Sequence, residues 1–183
     1  VGLSKDTWAV LYRVIRFGNE ILNEIHRASL TEDQYDRLVG EVRFLRAFSY
    51  SFLVKYFGAV PFFDETNMGD FHKPRTSEED IWEYIIREAS AVAEMLPETP
   101  EKYGRPTRYS ALLLKTEACL YLERWNEAEE AAGQVVQSGR FSLVELSEAD
   151  DFEKVYSHTA NGTSEEIFYI KYNRDAGSSF TWM

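Results

Sequence analysis

The segment from Gly40 to Phe63, GEVRFLRAFSYSFLVKYFGAVPFF, constrains the fold more than any other stretch of the chain. Leu38, Val42, Leu45, Phe48, Phe52 and Tyr56 recur at three- and four-residue steps, and Phe44, Leu53, Val54 and Phe57 widen the stripe until the helix is apolar nearly all round. Such a helix buries more than one side. Gly58 stands where a helix ends in a left-handed residue and Pro61 prevents its resumption, so Ala59 to Phe63 is expected to leave as an extended strap. Arg43 and Arg46 lie one turn apart on this helix, where an unpaired guanidinium would be costly. They are expected to bind carbonyls or carboxylates that fasten the strap rather than to contact a ligand.

Four further helices are legible. Trp8, Leu11, Tyr12, Ile15, Leu22 and Ile25 draw one face from about Thr7 to His26, with Asn19 on that face beside Gly18, where it is expected to satisfy a backbone group at a close crossing. Thr31 with Gln34 reads as a capping box for the long helix, and Thr76 with Glu79 as a second one, opening a helix through Ile81, Ile85, Ala89, Val92 and Leu96 to Pro97. A fourth helix is predicted from about Arg108 to Glu123, and a fifth from Asn126, as its cap, to Ser138. Ala118, Tyr121 and Trp125 then face Ala128, Ala131 and Ala132 across a tight turn, a small-residue crossing similar to a tetratricopeptide hairpin. Trp8, Trp82 and Trp125 all sit at helical spacing and are expected in the core. After Gly139 the pattern shifts: Phe141 to Leu146 reads as extended, Asp150 or Asp151 as the cap of a short helix through Tyr156, and Ile167 to Tyr172 as a strand. The expected fold class is therefore predominantly α, in tetratricopeptide-like hairpins, with a short β segment near the C-terminus. Residues 1–183 read as a single partial domain, with 1–139 the helical region and 140–183 the start of a non-repeat region.

Composition excludes several functions. A net charge of -11 opposes nucleic-acid binding, which draws its affinity from clustered Lys and Arg. No run is long and uncharged enough to span a bilayer. The single Cys119 cannot form an intrachain disulfide, and His26, His72 and His158 lie in unlike contexts without ligand spacing, so neither an enzyme nor a cofactor is expected. Asp64, Glu65, Asn67, Gly69 and Asp70 offer hard oxygen ligands, but Thr66 and Met68 stand where an EF-hand loop needs acidic or amide oxygens, so a solvated loop is expected.

Arg43-Phe44-Leu45-Arg46-Ala47 and the Tyr56-Phe57-Gly58-Ala59-Val60-Pro61 exit resemble the SusD/RagB family. So, in order, do Trp8 to Ile25, Arg75 to Ile81, Gly104-Arg105-Pro106-Thr107 with Ala111, Leu120-Tyr121-Leu122 with Trp125 to Ala128, and Glu165-Glu166-Ile167-Phe168. The resemblance covers nearly the whole chain but only about the middle of a family member. It implies a surface-exposed lipoprotein of the outer membrane in Bacteroidetes-type bacteria, held by an N-terminal lipid anchor absent from this chain. Such a protein captures an oligosaccharide or polysaccharide for a TonB-dependent, SusC-like transporter without making or breaking bonds. In starch-binding members the segment just after the last strand contributes an aromatic to the glycan surface, which points to Tyr172, Phe180 and Trp182 as ligand-binding residues. Phe180 and Trp182 could equally be core residues of the family's remaining half, or merely the point where order ends. The family's other glycan-facing residues lie before Val1 and after Met183, so the chain by itself is expected to bind weakly and to expose apolar surface along Leu45 to Phe57. The alternative reading is a tetratricopeptide-like scaffold for protein–protein interaction.

Overall fold

The computed structural model describes residues 2–70, 72–102, 104–148 and 163–170, with side chains from residue 5 onward. The fold is predominantly helical: α1 (Gly2–Glu24), a 3-10 turn (Ile25–Arg27), α2 (Glu32–Phe57), β1 (Val60–Pro61), β2 (Arg75–Thr76), α3 (Glu78–Met95), α4 (Arg108–Tyr121) and α5 (Trp125–Gln137). Each helix packs on its predecessor, so α2 is sandwiched between α1 and α3 and α3 between α2 and α4. That arrangement gives the all-round apolar helix two faces to bury. Phe44, Ala47, Tyr50, Leu53 and Val54 of α2 join Ile81, Ile85, Ala89 and Val92 of α3 and Ala111, Leu112, Ala118 and Cys119 of α4 in one core.

The helix starts show how local sequence sets the boundaries. Thr31 caps α2 in the predicted box, its hydroxyl accepting from Gln34 N while Thr31 N donates to the Gln34 side chain. Thr107 closes a similar box with Ser110 at the start of α4. At α3 the cap is Ser77, which accepts from Asp80 N at 3.1 Å, and not Thr76. Thr76 is taken up by β2, which pairs antiparallel with β1 through Val60↔Thr76 and Pro61↔Arg75 and so displaces the helix start by one residue. The turn into α5 also differs from expectation. Glu123 adopts φ 56, with Glu123 N bonded to Leu120 O and Arg124 N to Cys119 O, the Schellman pattern with glutamate in the left-handed position. The chain turns so tightly that α5 begins at Trp125 with no side-chain cap, leaving Asn126 inside the helix.

The α4–α5 hairpin closes over Ala118, Ala128 and Ala131, all buried, as the small-residue pattern predicts. Ala128→Leu is expected to overpack this crossing and cost about 1–3 kcal/mol. Thermal unfolding unchanged by the substitution would contradict the close packing.

Three further expectations need correction. Trp125 is 60% exposed, because as the first residue of α5 it lies beside the turn rather than over the alanine crossing. Uncovered apolar surface is not concentrated on α2: Leu45 and Tyr56 are exposed there, but α1 presents a longer stripe of Val10, Val14, Phe17 and Ile21. Ile167 to Ile170 forms no strand, and the remainder of the predicted strand and the short helix through Tyr156 lie outside the described residues.

Candidate functional site

Gly58 ends α2 at φ 67 and ψ -135, a conformation open essentially to glycine alone, and aims the strap across α1 and α2. With only two residues in a sheet, the strap's backbone groups are satisfied largely by side chains. Tyr12 donates to Pro61 O at 2.6 Å, Lys73 to Phe62 O at 3.0 Å and Asn23 to Glu65 O at 3.2 Å. Tyr50, fully buried, donates to Phe63 O at 2.9 Å and accepts from Phe63 N at 2.7 Å. Burial pushes the Tyr50 phenol above its ordinary range.

Beneath the strap lies a charge cluster. Arg43 grips Glu88 of α3 with two bonds, Nε to Oε2 at 3.0 Å and Nη2 to Oε1 at 2.8 Å. Arg46, 3% exposed, reaches the same carboxylate at 3.3 Å, Asn19 Oδ1 of α1 at 2.8 Å, and Glu65 of the strap loop. Both arginines therefore bind carboxylates as expected, but only Arg46 fastens the strap, while Arg43 ties α2 to α3. The expectation for Asn19 does not hold: its carbonyl serves a guanidinium rather than a backbone group, because Arg46 of α2 lies within hydrogen-bond reach at the α1–α2 crossing. Glu88 was legible only as an acid interrupting the Ile81, Ile85, Ala89, Val92 face. Burial alone would raise its pKa, but the hydrogen bond from Arg43 and the charges of both arginines outweigh that and hold it below the ordinary carboxylate value.

Apart from Glu65, which serves Arg46 and Asn23, the polar side chains of the loop from Asp64 to Asp70 turn back on the local backbone. Asp64 Oδ1 accepts from Thr66 N and Oγ1 at 3.0 and 2.7 Å, Asn67 Oδ1 accepts from Asp64 N at 3.1 Å, and Asp70 Oδ1 accepts from His72 N at 3.2 Å. Among the described residues no group of three or more His, Cys, Asp or Glu side chains gathers as a metal site. Cys119 is fully buried and burial raises its thiol pKa, so it holds little of the reactive thiolate.

Aromatic residues shape the surface recesses. Phe44, Phe48, Phe52 and Tyr56 form a ladder along α2, with successive ring centroids 5.8, 4.9 and 6.0 Å apart. Phe168 covers its first two rungs edge-on, at 5.1 and 5.3 Å. Beyond Phe168 a groove of about 500 Å³ opens between α2 and α4, lined by Phe48, Leu113, Leu114, Glu117 and Ile170. A smaller recess of about 220 Å³ lies between the loop bearing Glu98 and Arg105 on one side and Phe141, Thr163 and Glu166 to Tyr169 on the other; its guanidinium groups, Arg105 and Arg140, are paired with Glu41 and Glu98. Trp82 is buried with Tyr121 stacked on it at 4.3 Å, and Trp8 packs edge-on against Phe57 at 5.0 Å. Tyr172, Phe180 and Trp182, the residues singled out from the sequence, lie outside the described residues, which bring the chain as far as Ile170 at the groove.

Comparison with known proteins places this architecture. A SusD-like family described as starch-binding and associating with the outer membrane matches residues 3–116. A SusD-like protein of Formosa agariphila is 26% identical over 97% of this chain and 36% of its own length. A solved SusD-like protein from Bacteroides fragilis superimposes with a TM-score of 0.83 at 29% identity, covering 92% of this chain and 34% of that one. A SusD-like carbohydrate binding protein from the same species gives 0.82 at 26% identity, covering 95% and 34%. The chain thus spans about a third of the length of these relatives. It belongs to the SusD-like family.

Proposed function

We propose that this chain is the scaffold portion of a surface lipoprotein that captures an oligosaccharide at the outer membrane and passes it to a SusC-like TonB-dependent transporter. Its role is binding without bond making. Residues 1–139 form the rigid helical region, and 140–183 begin the non-repeat region that carries the glycan-binding aromatics Tyr172, Phe180 and Trp182. The observation that carries this reading is the family match over residues 3–116, joined to the likeness to a SusD-like carbohydrate binding protein. A side-chain-fastened strap and a buried charge cluster supply the rigidity that ring stacking on a sugar needs, since a preorganised surface loses less entropy on binding.

A sugar held by few rings gains little contact area, so the 183-residue chain is expected to bind malto-, xylo- or β-gluco-oligosaccharides with dissociation constants of about 1 mM or weaker. A polypeptide extended to the length of the relatives should bind one of these classes more tightly and lose at least about tenfold on Trp182→Ala or Phe180→Ala, roughly 1.4 kcal/mol. Titration calorimetry on both polypeptides decides it. Tight binding by the shorter chain, or affinity indifferent to both substitutions in the longer one, would remove these residues from the site.

A further inference from the structure

We propose that the outer face of α1 is a docking surface for α1 of a second copy of this chain, the two helices packing antiparallel about a two-fold axis between Ile15 and Arg16. A helix at the edge of a bundle needs one apolar stripe, and α1 carries two. Trp8, Tyr12 and Ile15 turn inwards to the core, while Val10, Val14, Phe17 and Ile21, each at least 36% exposed, run along the opposite side. The order of the outer stripe points to its partner. Its steps of four, three and four residues are those of a two-stranded helical seam, and they read the same in both directions. Reversed on itself, the stripe sets Val10 opposite Ile21 of the second copy and Val14 opposite Phe17, over about 17 Å at a helical rise of about 1.5 Å per residue.

Charge favours the same register. Asp6, Arg13 and Glu20 of α1 and Arg27 of the 3-10 turn follow one another at seven-residue steps along one flank of the stripe, alternating in sign and all exposed. The two-fold axis brings that flank against itself in reverse, so Arg13 of each copy meets Glu20 of the other within one helical turn. Arg13 makes no ion pair among the described residues, and Glu20 holds only Arg16, at 2.8 Å through Oε1. At each end Asp6 meets the Glu24–Arg27 pair, where Arg27 supplies the opposite charge. A parallel pair would instead bring the charged flank against Leu11 and Gly18, which offer it no charge. Three helical turns fall short of the roughly 1,200 Å² of a standard interface, so the pairing is weak, with a dissociation constant of about 10–100 μM. The inference does not depend on glycan binding.

Sedimentation equilibrium of the 183-residue chain from about 5 to 500 μM, a range that brackets this constant, should show a monomer–dimer equilibrium. Phe17→Glu should abolish it with helical circular dichroism unchanged, since the position is exposed. Arg13→Glu and Glu20→Arg should each weaken the dimer roughly fivefold, and the two together should restore it, because each reversed charge then meets the other across the axis. Under oxidising conditions an equimolar mixture of Val10→Cys and Ile21→Cys proteins should crosslink while neither does alone, Cys119 being buried. A monomer throughout, a dimer indifferent to Phe17→Glu, a double reversal no tighter than the single ones, or Val10→Cys crosslinking equally with itself would each overturn the proposal. So would a dimer dispersed by a malto-oligosaccharide mixture, which would give the face to sugar.

Discussion

Glu88→Ala is expected to destabilise the chain by about 3–5 kcal/mol, a large part of the stability of a domain this size. The substitution removes the carboxylate that Arg43 and Arg46 share and leaves two partly or fully buried guanidiniums, one of which retains only Asn19 and Glu65. Removing one member of a buried pair costs more than the pair was worth, because the remaining charges are desolvated without compensation. The pH dependence has a definite sign. Since the folded pKa of Glu88 lies below the ordinary value of 4.5, its contribution is full above that value and is lost as pH falls through the folded pKa. Urea unfolding from pH 7 downwards should therefore show the wild type losing stability below about pH 4.5 more steeply than Glu88→Gln, which has no carboxyl to protonate. Equal acid limbs in the two proteins would mean that the cluster does not hold the carboxylate as described.

Tyr50→Ala is expected to cost about 3–5 kcal/mol, and Tyr50→Phe about 1–3 kcal/mol. The first removes a fully buried ring that packs on Phe62 at 5.1 Å and Tyr84 at 5.7 Å. The second keeps the ring but leaves both backbone groups of Phe63 without their partner. The difference separates packing from strap fastening. Denaturant unfolding measures both, and hydrogen exchange at Phe63 should accelerate in Tyr50→Phe while the amides of α4 stay protected. A Tyr50→Phe protein as stable as wild type would show that the Tyr50 hydroxyl does not fasten the strap.

Much of this was legible in the sequence because periodic burial and capping boxes are local signals. Thr31 with Gln34, the stripe from Val39 to Val54 and the alanine crossing of α4 and α5 each follow from residues a few positions apart. What was hidden depends on partners distant in sequence. Ser77 rather than Thr76 caps α3 because Val60 claims Thr76, and Asn19 serves Arg46 because α1 and α2 cross there. Glu88 became part of the cluster only when α3 brought it against two arginines more than forty residues earlier. Trp125 carried the same apolar spacing as Trp82, yet a left-handed Glu123 turned it outwards. The two-residue ladder of β1 and β2 is too short to leave a pattern. Of the proposed binding surface, Tyr172, Phe180 and Trp182 came through family resemblance, which composition and periodicity could not have supplied.

In the proposed function the helices are a rigid support and sugar contact falls to residues 171–183. Amide NMR of the 183-residue chain during titration with the oligosaccharide class bound by its longer counterpart tests that division directly. Shifts centred on residues 171–183, rising without saturation below about 1 mM, are the predicted result. Shifts centred on the outer face of α1 or on the α4–α5 turn at Tyr121 and Trp125 would contradict it.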